Sequence, residues 1–181
     1  MFRVGGLLVV IAAIGGMIAA CGGSGVDLSE DPRLEVYDDP LTQAGQEHVP
    51  PTVTVPYPSI PPYGGPHDVL PTPCGVLSAS PRFENVVHAL EHGAVAFWYS
   101  PHELGADLVV ELRELASDFL RDGRYIIMAP YGSLGHPLVL VSWGERMPLD
   151  DLEADVIAAY VEAFHDDAPE PVAAGGCPSA L

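Results

Sequence analysis

Residues 86–99, VVHALEHGAVAFWY, place two histidines, His88 and His92, four positions apart with Glu91 between them. On a helix, positions four apart share a face, so the two imidazoles can bind one ion with nitrogens about 2 Å from it. Glu91, three residues after His88, could be a third ligand, an acceptor holding an imidazole tautomer, or a general base. The plainer reading is two partly buried histidines capping a strand edge. HxxEH is also the signature of inverted zinc peptidases, which gives a metal-dependent hydrolase with Glu91 as base on metal-bound water as a third reading. Such enzymes need a long active-site helix, whereas Gly93 ends this one immediately after His92.

The elements that must position these groups follow from periodicity. Ala94 to Tyr99 (AVAFWY) is a continuous apolar run of strand length. Leu104 to Leu120 carries a helical stripe at 108, 109, 112, 115, 116, 119 and 120, and Asp122-Gly123 closes it. Tyr125 to Ala129 and Leu138 to Trp143 read as two further strands. A last helix, capped by Asp150 or Asp151, reaches about Phe164 with Leu152, Val156, Ile157, Tyr160 and Phe164 inward. The expected fold is α+β (mixed α/β), a small sheet of three to four strands in the order β-α-β-β-α. A helix between the first two strands implies parallel pairing, and the short connection after the second suits antiparallel pairing.

Upstream, residues 49–73 hold nine prolines, which forbids a helix and predicts an extended, polyproline-like strap over 48–74. Tyr57, Ile60, Tyr63 and Val69 give it apolar groups with which to lie on the domain. Residues 21–47, rich in Gly, Ser, Asp and Glu, read as an acidic flexible tether, 48–165 as the domain, and 166–181 as a polar tail.

The N-terminus has the form of an export signal. Arg3 precedes a run from Val4 to Ala20 that is almost wholly apolar or glycine, ending in small residues before Cys21. This resembles a bacterial lipoprotein signal peptide over residues 1–20. The resemblance implies cleavage before Cys21, lipidation of its thiol, and a mature protein exported and anchored to the cell-envelope membrane. The alternatives are a plain secretory signal or an uncleaved anchor. In an oxidising compartment the two remaining thiols, Cys74 and Cys177, are expected to form a disulfide. The chain has 25 acidic residues and 7 basic ones, all arginine, for a net charge of −18. That charge disfavours nucleic acid and anionic membrane surfaces as partners and favours cations. No GxSxG, P-loop or GxGxxG motif occurs. No protein partner is legible.

Several blocks together resemble a known family. They are His48-Val49-Pro50, Pro61-Pro62-Tyr63-Gly64-Gly65-Pro66-His67, Val87 to Val95, Pro130-Tyr131 and Val141-Ser142-Trp143-Gly144. In this order they resemble DUF3105, a bacterial family of unassigned function whose members are usually tethered by their N-termini. The family's Thr-Ser before Gly-Pro-His is Tyr63-Gly64 here. The resemblance implies that His48, His67, His88, Glu91 and His92 form one pattern, and it marks none of His102, His136 and His165. The proline-stiffened strap could then deliver His67 onto the face presenting His88 and His92. Three imidazoles with an open position suit zinc or copper, and Met128 could add a soft ligand for copper, although a methionine in such a strand is ordinarily core. The leading expectation is an extracytoplasmic metal-binding domain. The alternative is a structural or interaction module whose histidines fix the strap to the sheet. Chelation requires that the nitrogens of His67, His88 and His92 lie close together and are not each consumed by a private carbonyl.

Overall fold

The computed structural model describes residues 25–37 and 47–171. The strands are β1 (Glu35–Val36), β2 (His48–Val49), β3 (His67–Asp68), β4 (Gly75–Val76), β5 (Val95–Tyr99), β6 (Ile126–Pro130), β7 (Leu138–Val141) and β8 (Glu145–Leu149). The helices are α1 (Phe83–Glu91), α2 (Ala106–Arg121) and α3 (Ala154–Phe164).

The fold is α+β, as the sequence predicts, but the sheet is larger and ordered differently from the expectation. Six strands run β1-β8-β7-β5-β6-β4, and β2 pairs with β3 in a separate two-stranded sheet. Strand β5 lies parallel to β6 across the crossover helix α2. The third expected strand, β7, is antiparallel, yet its partner is β5 and not the preceding β6. It crosses to the open side of β5, which puts the most apolar strand, VAFWY, at the centre with every residue buried. The strands of this sheet missing from the expectation are β1 and β4, each only two residues long, and β8, whose Glu145, Arg146 and Pro148 disguise it. Because β1 pairs only with Arg146 and Glu145, the stretch holding Pro148 is a free edge among the described residues. There a proline's missing N–H breaks no ladder bond.

Side chains alternate across the sheet and create two cores. Val95, Phe97, Tyr99, Ile126, Met128, Leu138 and Leu140 pack on one face with Leu112 and Ala116 of α2 and Ile157 and Tyr160 of α3. Ala96, Trp98, Ile127, Ala129, Val139 and Val141 pack on the other with Val86, Ala89 and Leu90 of α1 and with Tyr63 of the strap. Helix α1 ends in a Schellman motif, with Gly93 N–H donating to Leu90 O at 2.9 Å and Ala94 N–H to Ala89 O at 3.0 Å. Gly93 sits at φ 91°, and a Cβ there would stand 2.7 Å from Cα of Asp166. The glycine that stops the helix therefore also admits the C-terminal segment.

Among the described residues, no helix is long and apolar enough to cross a membrane. The expected signal peptide, Cys21, residues 22–24 and 38–46 of the expected tether, and Cys177 lie outside the described residues; Cys74 is half-buried at the head of β4.

Candidate metal centre

The strap reaches α1 through a set of polar ties. Parallel pairing of β2 and β3 sets His48 opposite His67 and Val49 opposite Asp68. Arg82, just before α1, donates to the Asp68 carboxylate at 2.7 Å and to Val53 O at 2.7 Å, and lies 3.3 Å from Glu84. Glu84 accepts from Val55 N–H at 2.9 Å, and Thr72 N–H donates to Asn85 O at 2.8 Å. Asp68 and Glu84 are buried carboxylates, so the guanidinium between them supplies the charge their burial requires. The strap is thereby fastened along α1 with His67 facing it.

The sequence-predicted ligands come together. The rings of His48 and His67 are 4.9 Å apart, those of His48 and His88 5.0 Å, those of His67 and His88 5.0 Å, and those of His88 and His92 4.8 Å. Two triads, His48–His67–His88 and His88–Glu91–His92, each hold their ligand atoms within 4.8 Å of one another. His67, His88 and Glu91 are buried, His92 is half-buried, and His48 is exposed.

The hydrogen bonds decide which nitrogens are available. Nδ1 of His67 lies 2.9 Å from Gly65 O, Nδ1 of His88 2.6 Å from Asp68 O, and Nδ1 of His92 2.8 Å from Glu170 O. A carbonyl only accepts, so each Nδ1 carries the hydrogen, and each neutral ring keeps its lone pair on Nε2. Private carbonyls are present, but they consume one nitrogen per ring and leave the other free. This is the usual way a metal-binding imidazole has its tautomer fixed.

The free nitrogens face electron pairs. Nε2 of His88 and Nε2 of His92 are 2.9 Å apart. Nε2 of His67 lies 3.0 Å from Oε2 of Glu91, without hydrogen-bond alignment, and neither that nitrogen nor Glu91 Oε1 has a hydrogen-bond partner. Two lone pairs at such distances repel unless a cation, either a proton or a metal ion, sits between them. Burial pushes the imidazoles of His67 and His88 below their usual pKa, which works against a proton on either ring. Burial, reinforced by the Glu170 carboxylate, raises Glu91. A protonated Glu91 would relieve its contact with His67 and leave the His88–His92 contact as it is. A metal ion held by His88, Glu91 and His92 would relieve that second contact.

Other candidates are placed elsewhere. Met128 is fully buried among Phe97, Leu138 and Leu140 on the opposite face of the sheet. It pairs with Phe97, and alternation along β6 turns both away from α1. His102 is exposed. His136 meets Asp150 at 3.1 Å. His165 is half-buried, its ring 4.8 Å from that of Tyr125.

Sequence reasoning missed the backbone acceptors. Gly65, Asp68 and Glu170 act through carbonyls, which every residue type possesses. Glu170 arrives because Asp166 N–H donates to Gly93 O at 2.9 Å and Glu170 N–H to Glu91 O at 3.1 Å, folding the tail back over the end of α1. The signal for the Arg82 clamp was two acids, Asp68 and Glu84, flanking a lone arginine within seventeen residues of sequence.

Residues 48–176 match the family model described as "Protein of unknown function (DUF3105)". No curated protein and no solved structure matches the chain.

Proposed function

The chain belongs to the DUF3105 family, and from the geometry of its histidine cluster we propose that it is an extracytoplasmic, lipid-anchored domain that binds one divalent transition-metal ion, zinc or copper(II). The observation that carries this reading is the opposition of Nε2 of His88 and Nε2 of His92 at 2.9 Å while both Nδ1 atoms are committed to carbonyls. A bound cation turns that repulsion into attraction, and Glu91 is within reach as its third ligand. The donor set is imidazole plus carboxylate, which suits zinc or copper(II), whereas copper(I) prefers sulfur. An acidic chain raises the local concentration of cations around the site.

The anchoring part of the reading rests on the lipoprotein-like signal, with Cys21 as the lipidated residue. A Cys74–Cys177 disulfide would then fix the tail that carries Glu170. Mass spectrometry of the mature chain, with and without thiol reduction, tests both: a diacylglyceryl adduct on Cys21 and a two-proton mass difference are expected.

Elemental analysis of the purified mature chain tests the metal. The expected result is about one zinc or copper per chain, abolished in the His88→Ala/His92→Ala double variant and unchanged in His102→Ala. A wild-type chain no richer in metal than the double variant would sink the proposal.

A second reading is favoured by the same Nδ1 bonds, which tie the strap (Asp68 O) and the tail (Glu170 O) to α1. If the histidines are only structural ties, His67→Ala lowers the melting temperature and no stoichiometric metal is found. The hydrolase reading draws least from the geometry. Glu91 is 1 % exposed and faces His67, a poor position for a base that must reach water and substrate.

A further inference from the structure

The five-residue cluster holds more donors than one compact ion needs, and their arrangement is directional. Building on the metal-binding reading, we infer that the cluster contains two overlapping metal positions sharing His88, filled one at a time. The outer one (His48, His67, His88) is the station through which the ion enters and leaves the inner one (His88, Glu91, His92).

Two triads with ligand atoms within 4.8 Å share a single residue, His88. His88 has one lone pair to offer, because its Nδ1 is committed to Asp68 O at 2.6 Å. It can serve one ion at a time, so the two triads are alternatives and not halves of a dinuclear centre. The imidazole common to both is the pivot of an exchange.

The two positions differ in charge and in access. The outer triad is three neutral imidazoles, so an ion there keeps its full double charge. The inner triad adds the carboxylate of Glu91, which cancels part of that charge where little water remains to do so. The inner position is therefore the resting one. The outer is the open one: His48 is exposed and rides on the two-residue β2. The far side of the cluster is covered by the tail, whose Glu170 backbone bonds both His92 Nδ1 and Glu91 O. Nε2 of His67 stands 3.0 Å from Oε2 of Glu91, so an ion moving inward exchanges the imidazole for the carboxylate across a very short step. Ligand-by-ligand transfer of this kind never leaves the cation bare in a buried space.

Zinc exchange on the full chain in detergent tests this, with a chromophoric chelator as competitor. Equilibrium titration gives affinity and stoichiometry, and stopped-flow mixing gives the rates of loading and release. In His48→Ala, and equally in His48→Gln, one zinc per chain should remain with affinity within about threefold of wild type, while loading and release both slow by about tenfold or more. His92→Ala and Glu91→Gln should instead weaken equilibrium binding by about a hundredfold. His48 is exposed, so its variants should fold, which the tryptophan emission of the buried Trp98 would verify. Unchanged rates in the His48 variants would overturn the relay and leave the metal site standing. A loss of affinity in them as large as in His92→Ala would make His48 a resident ligand and also overturn it, as would two zinc ions per wild-type chain. A wild-type chain that takes no zinc overturns the metal-binding reading itself.

Discussion

The two faces of the central sheet are built from the same strands and covered in contrasting ways. The face under α2 and α3 is filled by Phe97, Met128, Leu138, Leu140, Leu112, Ile157 and Tyr160, a core of hydrocarbon and aromatic groups. The face under α1 and the strap has an apolar floor of Trp98, Ile127 and Val139, but above it lie His67, Asp68, Glu84, His88 and Glu91, all buried. Burying apolar surface is favourable without further conditions, whereas each buried polar group must find a partner or lose free energy. The strap face carries most of that cost, and there His67 Nε2 and Glu91 Oε1 remain without hydrogen-bond partners. On the proposed metal-binding reading, the first face is the foundation and the second the working side.

Substitutions on the two faces should therefore separate stability from metal binding. The largest effect is expected for Phe97→Ala, which removes a fully buried ring from the foundation and should cost about 3–5 kcal/mol in chemical denaturation. Zinc stoichiometry of the molecules that remain folded should match wild type. If Phe97→Ala abolished zinc binding at a denaturant-free temperature where the chain is folded, the two faces would not be separable.

Next comes Arg82→Ala, on the working side. It strips Asp68 and Glu84 of their guanidinium and should cost about 2 kcal/mol. Unlike Phe97→Ala it should also weaken zinc binding, because Asp68 O fixes the tautomer of His88 and the strap carries His67. Full zinc affinity in a destabilised Arg82→Ala would show that the clamp acts on stability alone.

A smaller effect concerns acid, on the foundation side. Glu145, next to Ser142 and Tyr160, has its pKa raised to about 6 by burial, with the Ser142 hydroxyl opposing the shift. A carboxyl whose folded pKa exceeds its unfolded value binds its proton more tightly when folded. Its contribution is therefore fully present below about pH 4.5 and lost as the pH rises through about 6, by at most about 2 kcal/mol. Stability of wild type relative to Glu145→Gln, followed by denaturation between pH 4 and 7, should fall along that window. A flat difference would place Glu145 in ordinary solvent. His102→Ala completes the series, with an expected change within about 0.5 kcal/mol and no effect on zinc.

Much of this was legible in the sequence, for local reasons. The run AVAFWY is apolar at every position because β5 is covered on both faces, and the periodicity of α2 reports one buried stripe. Gly93 announced the end of α1 because a Schellman turn needs a residue that tolerates positive φ. Strands β1, β4 and β8 were illegible: two are only two residues long, and the third mixes charge with a proline. Met128 was offered as a ligand because nearness along β6 does not reveal which face a side chain takes until the sheet is assembled.

The amino-acid sequence by itself determined which residues could bind a cation, the α+β class, the stiffness of the strap and the stop after His92, since each depends on residue type or on spacing within a few positions. Only the tertiary structure decided that His48 and His67 meet α1, that β7 crosses to the far side of β5, and that the carbonyls of Gly65, Asp68 and Glu170 turn three Nε2 lone pairs toward the cluster. Those outcomes depend on backbone groups common to all residues and on segments brought together from up to 122 positions apart, between His48 and Glu170. No local pattern encodes such a meeting; it is settled when both faces of the sheet are covered at once.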